Sequence, residues 1–172
     1  RSEDIEGQYK VTLTVDSNFL YSESTQYPVI IDPTATYGTE STWADTFVQS
    51  AYPNTNYYLR NQLRTGYDSS TGKVRSYIKY KTLPELGNVS ILSAQYYAYN
   101  TTGTISTSYA TVNLHRVTSD WNVSAITWNN AATFSSSVES SKVVTVDGWY
   151  SWDFTQLCKD WYSGVQNYYG FV

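Results

Sequence analysis

The stretch GKVRSYIKY, Gly72 to Tyr80, decides the fold. Its residues alternate between two kinds, as strand side chains must when successive Cβ atoms point to opposite faces. Ser76, Ile78 and Tyr80 fall on one face, and Arg75, Tyr77 and Lys79 on the other. The second set mixes basic and aromatic side chains and is expected to face water. Burying Arg75 and Lys79 unpaired would cost on the order of several kcal/mol. Register is the weak point of this reading, because a slip of one residue exchanges the two faces.

Working outward, the same alternation recurs. In ILSAQYYAYN (91–100), Ala94, Tyr96 and Ala98 suit a core, and Gln95, Tyr97 and Tyr99 point away. In VNLHRV (112–117), Val112 and Leu114 go in, and Asn113 and His115 go out. Further short strands are expected at 46–49, 58–63, 125–128, 142–146, 149–154 and 168–172. GYDSSTG (66–72) reads as a turn, and Asp147-Gly148 is a hairpin signal. About nine short strands separated by turn signals predict an all-β, antiparallel jelly-roll sandwich. One short helix is expected near the C-terminus, with Thr155 as N-cap, Leu157, Cys158 and Trp161 at helical spacing, and Gly164 closing it. Ahead of the main module, 1–5 reads as a frayed end, and strands at 10–15 and 27–31 pair as a hairpin. This divides the chain into a tail or linker hairpin of a preceding region, 1–34, and a β-sandwich module, 35–172.

Composition narrows the function classes. Aromatic residues make up 17% of the chain, led by 18 Tyr, and charged residues only 15%, against roughly 25% in an average domain. This balance fits a secreted β-protein. With a net charge of −4 there is no basic excess to offset a phosphate backbone, so nucleic acid is not an expected partner. No apolar run approaches the roughly 18 residues of a membrane span, so no membrane insertion is expected. The lone Cys158 rules out an intrachain disulfide and reads as a small buried hydrophobe. The chain contains no Met, so an export signal or anchor is expected outside it.

Catalytic chemistry is sparse. His115 is the single histidine, too little for a nucleophile triad or a transition-metal site. Asp45, Asp120, Asp147, Asp153 and Asp160 leave a glycosidase carboxylate pair open. Asp147, however, reads as a turn residue, and Asp153 as a tie for the turn after it. No catalytic activity is expected. A structural calcium bound through Asp45, with Asn54 and Asn56 nearby, is the one candidate cofactor.

Several motifs, in order from about Thr42, carry a family likeness: DTFVQSAYPNTNYYLRNQLRTG, GKVRSYIKY, ILSAQYYAYN, VNLHRVTSDWNVSAITWNNA and GWYSWDFTQLCKDWYSGVQNYYGFV. Together they resemble the DNRLRE family, an extracellular bacterial and archaeal β-sandwich related to carbohydrate-binding modules. Asn61-Gln62-Leu63-Arg64 matches the family's naming motif in part. The leader LTVDSNFLYSESTQYPVIIDPT is similar to segments that precede such modules in wall-associated proteins with YD-type repeats. The resemblance implies a secreted, cell-surface or wall location, neighbouring domains in a larger parent protein, and a polysaccharide or cell-wall glycan as partner; some relatives bind polysaccharides such as alginate. Trp121, Trp128, Trp152 and Trp161 fall within its motifs and are expected in the core, and Asp120 precedes one of them. Trp43 and Trp149 are left open to either environment.

Sugars are recognised by aromatic faces with polar groups on the hydroxyls, and anionic sugars add a need for Lys or Arg. Arg75, Tyr77, Lys79, Tyr97, Tyr99 and His115 are therefore the leading carbohydrate-binding set, if their strands share a sheet. The competing reading is ordinary cross-strand packing of tyrosines. Arg60 and Arg64 with Tyr57 and Tyr58 form a second candidate, against which stands a purely structural role for the arginines. At the level of the whole module, the alternative to a glycan-binding domain is a structural spacer or adhesion domain without a glycan ligand.

Overall fold

A computed structural model describes residues 2–5, 8–11, 18, 22–24, 42–86, 90–101 and 109–172. The chain divides into two compact units, 1–37 and 38–172. In the first, β1 (Ser2–Ile5) pairs antiparallel with β2 (Gln8–Val11). Residues 2–5 are thus a strand, not the frayed end expected from their polarity. The expected strand at 27–31 lies outside the described residues.

The second unit holds β3 (Trp43–Gln49), β4 (Gly66–Asp68), β5 (Gly72–Tyr80), β6 (Gln95–Asn100), β7 (Ala110–Leu114), β8 (Ser140–Val144), β9 (Gly148–Asp153) and the helix α1 (Thr155–Tyr162). It is mostly β, and every strand pairing among the described residues is antiparallel. β5 lies between β3 and β4, β6 pairs with β9, and β7 with β8.

Two corrections concern turn chemistry. Residues 58–63 and 125–128 are not strands, because asparagines capture their backbone. Asn56 Oδ1 accepts from the Tyr58 amide, Asn122 Oδ1 from Ser124, and Asn130 Oδ1 from Thr127. Conversely, Gly66–Asp68 is a strand of a tight hairpin. The Asp68 carboxylate closes it by accepting from the amides and hydroxyls of Ser70 and Thr71. Those bonds favour the ionised form and hold the Asp68 carboxyl well below the usual carboxylate range. The N-cap of α1 is Phe154, not Thr155. Asp153 Oδ1 accepts the Thr155 amide at 2.9 Å, while Thr155 Oγ1 accepts the amide of Ala94. Gly164 does follow the helix at φ +74.

The C-terminus joins the layers. Phe171 exchanges both backbone hydrogen bonds with Ile78 of β5, and Val172 does the same with His115. Gly170 makes this approach possible. It sits at φ +81, and a Cβ there would run into the Ile78 carbonyl.

β5 is buried on both faces. Ile78 packs into a core with Leu114, Val144, Trp152, Leu157, Trp161 and Phe171. Tyr77, next to it in sequence, packs into a different core with Ala44, Val48, Val117, Trp121, Ile126 and Ala132. The chain between the segment after β7 and the segment before β8 seals this second core. It leaves at Thr118 and returns at Thr133, whose backbone carbonyl accepts the Thr118 amide. Tyr77 is 0% exposed, and its hydroxyl donates to the Ala132 carbonyl at 2.8 Å. Trp121, Trp152 and Trp161 are buried as expected, and Trp128 packs partly buried against the second core. Cys158 is half-buried, and burial pushes its thiol pKa up.

Tyr77→Ala is expected to cost about 3–5 kcal/mol in urea unfolding, as for other large aromatic truncations. Tyr77→Phe, which leaves the Ala132 carbonyl unpaired, should cost about 1–3 kcal/mol. Near wild-type stability of Tyr77→Ala would contradict the burial.

Candidate functional site

The structure breaks up the leading set of sequence-predicted residues. Arg75, Tyr77 and Lys79 do share one face of β5, as their period requires, but that face is covered. Tyr77 is enclosed and cannot touch a ligand. The Arg75 guanidinium lies over the rings of Trp128, at 4.6 Å, and Phe134, at 5.0 Å. Lys79 Nζ donates to Asp120 Oδ1 and to the Trp121 carbonyl, each at 2.8 Å, and lies over the Trp121 ring. Alternation identifies which side chains share a face; it does not say what packs on that face. The desolvation objection fails because neither cation is unpaired. Cation–π contacts and an ion pair replace the lost water.

His115 is also engaged. Its Nδ1 lies 3.1 Å from the Ser135 carbonyl and 2.9 Å from that of Ser137. Both partners are acceptors, so in the neutral ring Nδ1 carries the proton.

The Lys79 bond, followed by the Trp121 amide, favours ionised Asp120 and lowers its pKa from the ordinary 3.8. A depressed folded-state pKa contributes stability above the ordinary value and loses it as pH falls through the folded one. Because Asp120 is 75% exposed, the contribution is small, about 0–1 kcal/mol. Asp120→Asn should therefore lower Tm slightly at neutral pH, with the gap to wild type closing below pH 3.8. A gap that widens in acid would contradict the pairing.

Tyr97 and Tyr99 do project from the fold. Tyr96 and Ala98 of β6, and Tyr150 and Trp152 of β9, pack into the Ile78 core. Period two therefore sends Gln95, Tyr97, Tyr99, Trp149, Ser151 and Asp153 to the outer face. Tyr99 lies opposite Trp149, and Tyr97 opposite Ser151. Tyr97 is 61% exposed, Tyr99 53% and Trp149 71%. The Tyr99 and Trp149 rings meet edge to face at 5.4 Å. The alternation of GWYSWD already places Trp149 opposite Trp152, the signal that would have added it to the set.

The second candidate closes into a cleft of about 300 Å³, lined by Phe47, Gln49, Tyr52, Tyr57, Arg60, Arg64 and neighbouring polar residues. Its floor is rigid. The Phe47 and Tyr57 rings stack at 4.5 Å, and the Tyr57 hydroxyl donates to Gln49 Oε1 at 2.8 Å. Arg64 lies over the Phe47 ring at 5.8 Å. Among the described residues, neither Arg60 nor Arg64 has a carboxylate partner. The structural alternative, arginines satisfied by backbone carbonyls or a carboxylate, finds no such hydrogen bond to either side chain among the described residues. Tyr58 is exposed but does not line the cleft.

Two of the proposed calcium ligands, Asn54 and Asn56, are tied to other groups. Asp45 is on β3, Asn54 Oδ1 accepts from Asn129, and Asn56 Nδ2 donates to the Val123 and Ile126 carbonyls. Among the described residues, no group of three or more His, Cys, Asp or Glu side chains is placed to hold a metal ion. Nor is any described helix long and apolar enough to cross a membrane.

An antiparallel β module that displays exposed rings on a strand pair, and guanidinium groups without a carboxylate partner among the described residues beside aromatic rings, has surface chemistry suited to sugars. The sequence profile of carbohydrate-binding module family 96 matches residues 36–172, and the chain belongs to that family. It is also similar to the tRNA nuclease WapA of Bacillus subtilis strain 168, with 34% identity over 93% of this chain and 7% of the relative. The tRNA(Glu)-specific nuclease WapA of Bacillus subtilis subsp. natto matches to the same extent. The chain thus spans about 7% of the length of the curated relatives it matches.

Proposed function

We propose that this chain is a non-catalytic module that holds a larger secreted or wall-associated protein on an acidic polysaccharide, through the cleft of Arg60 and Arg64. The observation that carries this reading is a cleft lined by Arg60 and Arg64, neither with a carboxylate partner among the described residues, beside the stacked Phe47 and Tyr57 rings, with Arg64 over the Phe47 ring. Guanidinium groups bind carboxylate or phosphate bidentately and keep their charge at any working pH. Tyr52 and Tyr57 add ring surface beside them, suited to the C–H faces of the sugars. Family membership supplies the ligand class, and the DNRLRE-like motifs with the YD-type leader supply the wall setting. The module itself begins near residue 35, and residues 1–34 close a preceding region.

The nuclease activity named for the relatives belongs, in this reading, to other parts of those long chains. Four of the acidic side chains make ties that favour a structural use: Asp68 in its turn, Asp120 to Lys79, Asp153 to Thr155 and Asp160 to Gln156.

Calorimetric titration with polygalacturonate tests the proposal. Each of Arg60→Ala and Arg64→Ala should weaken binding roughly tenfold or more, in line with about 1.5–3 kcal/mol for a charged hydrogen bond. Added salt should weaken wild-type binding. The polymer should show no loss of viscosity on long incubation. Undiminished affinity of the double variant would remove the cleft from the account, and release of reducing ends would overturn the non-catalytic role.

A further inference from the structure

We infer that the outer face of the β6–β9 pair is a second glycan-binding surface, separate from the cleft, and that it takes an uncharged polysaccharide chain. This rests on the carbohydrate-binding reading of the module but not on the cleft. Tyr97, Tyr99 and Trp149 are the large side chains of this face, and all three are more than half exposed. They stand on a paired ladder running from Gln95↔Asp153 to Asn100↔Gly148, so their positions are fixed by backbone rather than by loops. Tyr97 and Tyr99 are separated by about 6.7 Å along the strand, from the rise per residue. Trp149 lies directly across from Tyr99, within about 5.5 Å at Cβ. This row is longer than one sugar ring, which favours a chain over a monosaccharide.

Charge sorts the two surfaces. The cleft carries two guanidinium groups. Among the described residues, the outward side chains of β6 and β9 include no cation. Their one ionisable carboxylate, Asp153, is committed to the Thr155 amide, and its negative charge disfavours a polyanion. Gln95 and Ser151 are neutral hydrogen-bonding groups beside the rings, matched to hydroxyls.

Size argues against a protein as occupant. Two strands of six residues extend about 20 Å and lie about 5 Å apart, an area on the order of 200 Å². A stable protein interface needs about 800 Å² from each partner. A single polysaccharide chain needs only a row of rings.

Affinity electrophoresis of the whole chain separates the outcomes, using gels containing a neutral β-glucan, a xylan, a mannan or polygalacturonate. Wild type should be retarded by at least one neutral polymer. Tyr97→Ala and Trp149→Ala should each lower that affinity about tenfold, roughly the loss of one ring contact. They should leave retardation by polygalacturonate within about twofold, and Arg60→Ala with Arg64→Ala should do the reverse. Unchanged urea midpoints confirm intact folding, as expected for exposed side chains. Retardation by polygalacturonate alone overturns this inference and leaves the proposed function standing. Equal loss of both affinities in Trp149→Ala also overturns it, by showing one continuous surface. No retardation in any gel overturns both.

Discussion

The double burial of β5 is the constraint on which the rest of the module depends. Tyr77 and Ile78 are consecutive and necessarily point to opposite faces, yet both are buried, one in each hydrophobic core. A central strand clad on both sides must find cover for its second face. The covering chain must in turn satisfy its own backbone without a sheet. The asparagines answer that need: Asn122 and Asn130 fold the excursion on itself, and Asn56 bonds it to the loop after β3. The C-terminal Gly170–Phe171–Val172 segment bonds β5 to the strand continuing from β7, so the two cores share one backbone wall.

This arrangement decides which rings and cations stay open at the surface. The basic and aromatic residues of β5 are used up in the second core, with Arg75 between Trp128 and Phe134, and Lys79 on Asp120. Among the described residues, open rings and cations without a carboxylate partner remain in places away from this excursion. One such place is the outer face of β6 and β9. The other is the loop from Tyr52 to Arg64, folded against the Phe47 ring. Membership of a carbohydrate-binding module family points to glycans as the ligand class. Cations lie at one surface and neutral rings at the other, which is the basis for proposing two different chemistries within that class.

Much of this was legible in the sequence, and the limits have physical causes. The β class, its antiparallel sense and the strands flanking Asp147-Gly148 follow from period and turn residues, which are local properties. The hairpin expected at Asp147-Gly148 does not form, because β8 pairs with β7 and β9 with β6, partners set by distant chain. The alternations VRSYIKY and QYYAYN look alike, and both place their residues on the right faces. They differ in whether a distant segment returns to cover the face, and no local pattern records that. The engagement of these partly buried cations was hidden for the same reason, since their partners Asp120, Trp128 and Phe134 lie some 40–60 residues further along the chain. Tyr57, Arg60 and Arg64 were visible as a basic-aromatic cluster. Their closure with Tyr52 into a cleft depends on the β3–β5 register. The misread segments 58–63 and 125–128 are strand-like in composition, and side-chain capture by Asn56, Asn122 and Asn130 outcompetes that propensity.

Native-state hydrogen exchange tests the shared wall most directly. The Ile78 amide bonds to Phe171 inside the sheet, while those of Thr118 and Ile126 bond to Thr133 and Asn122 within the excursion. If the excursion is the second half of the core, all three amides open together, with the same free energy and the same denaturant dependence as global unfolding. Exchange of Thr118 and Ile126 through a low-energy local opening, with Ile78 still fully protected, would show a detachable cover over a face of β5 that a ligand can reach, and would contradict the account.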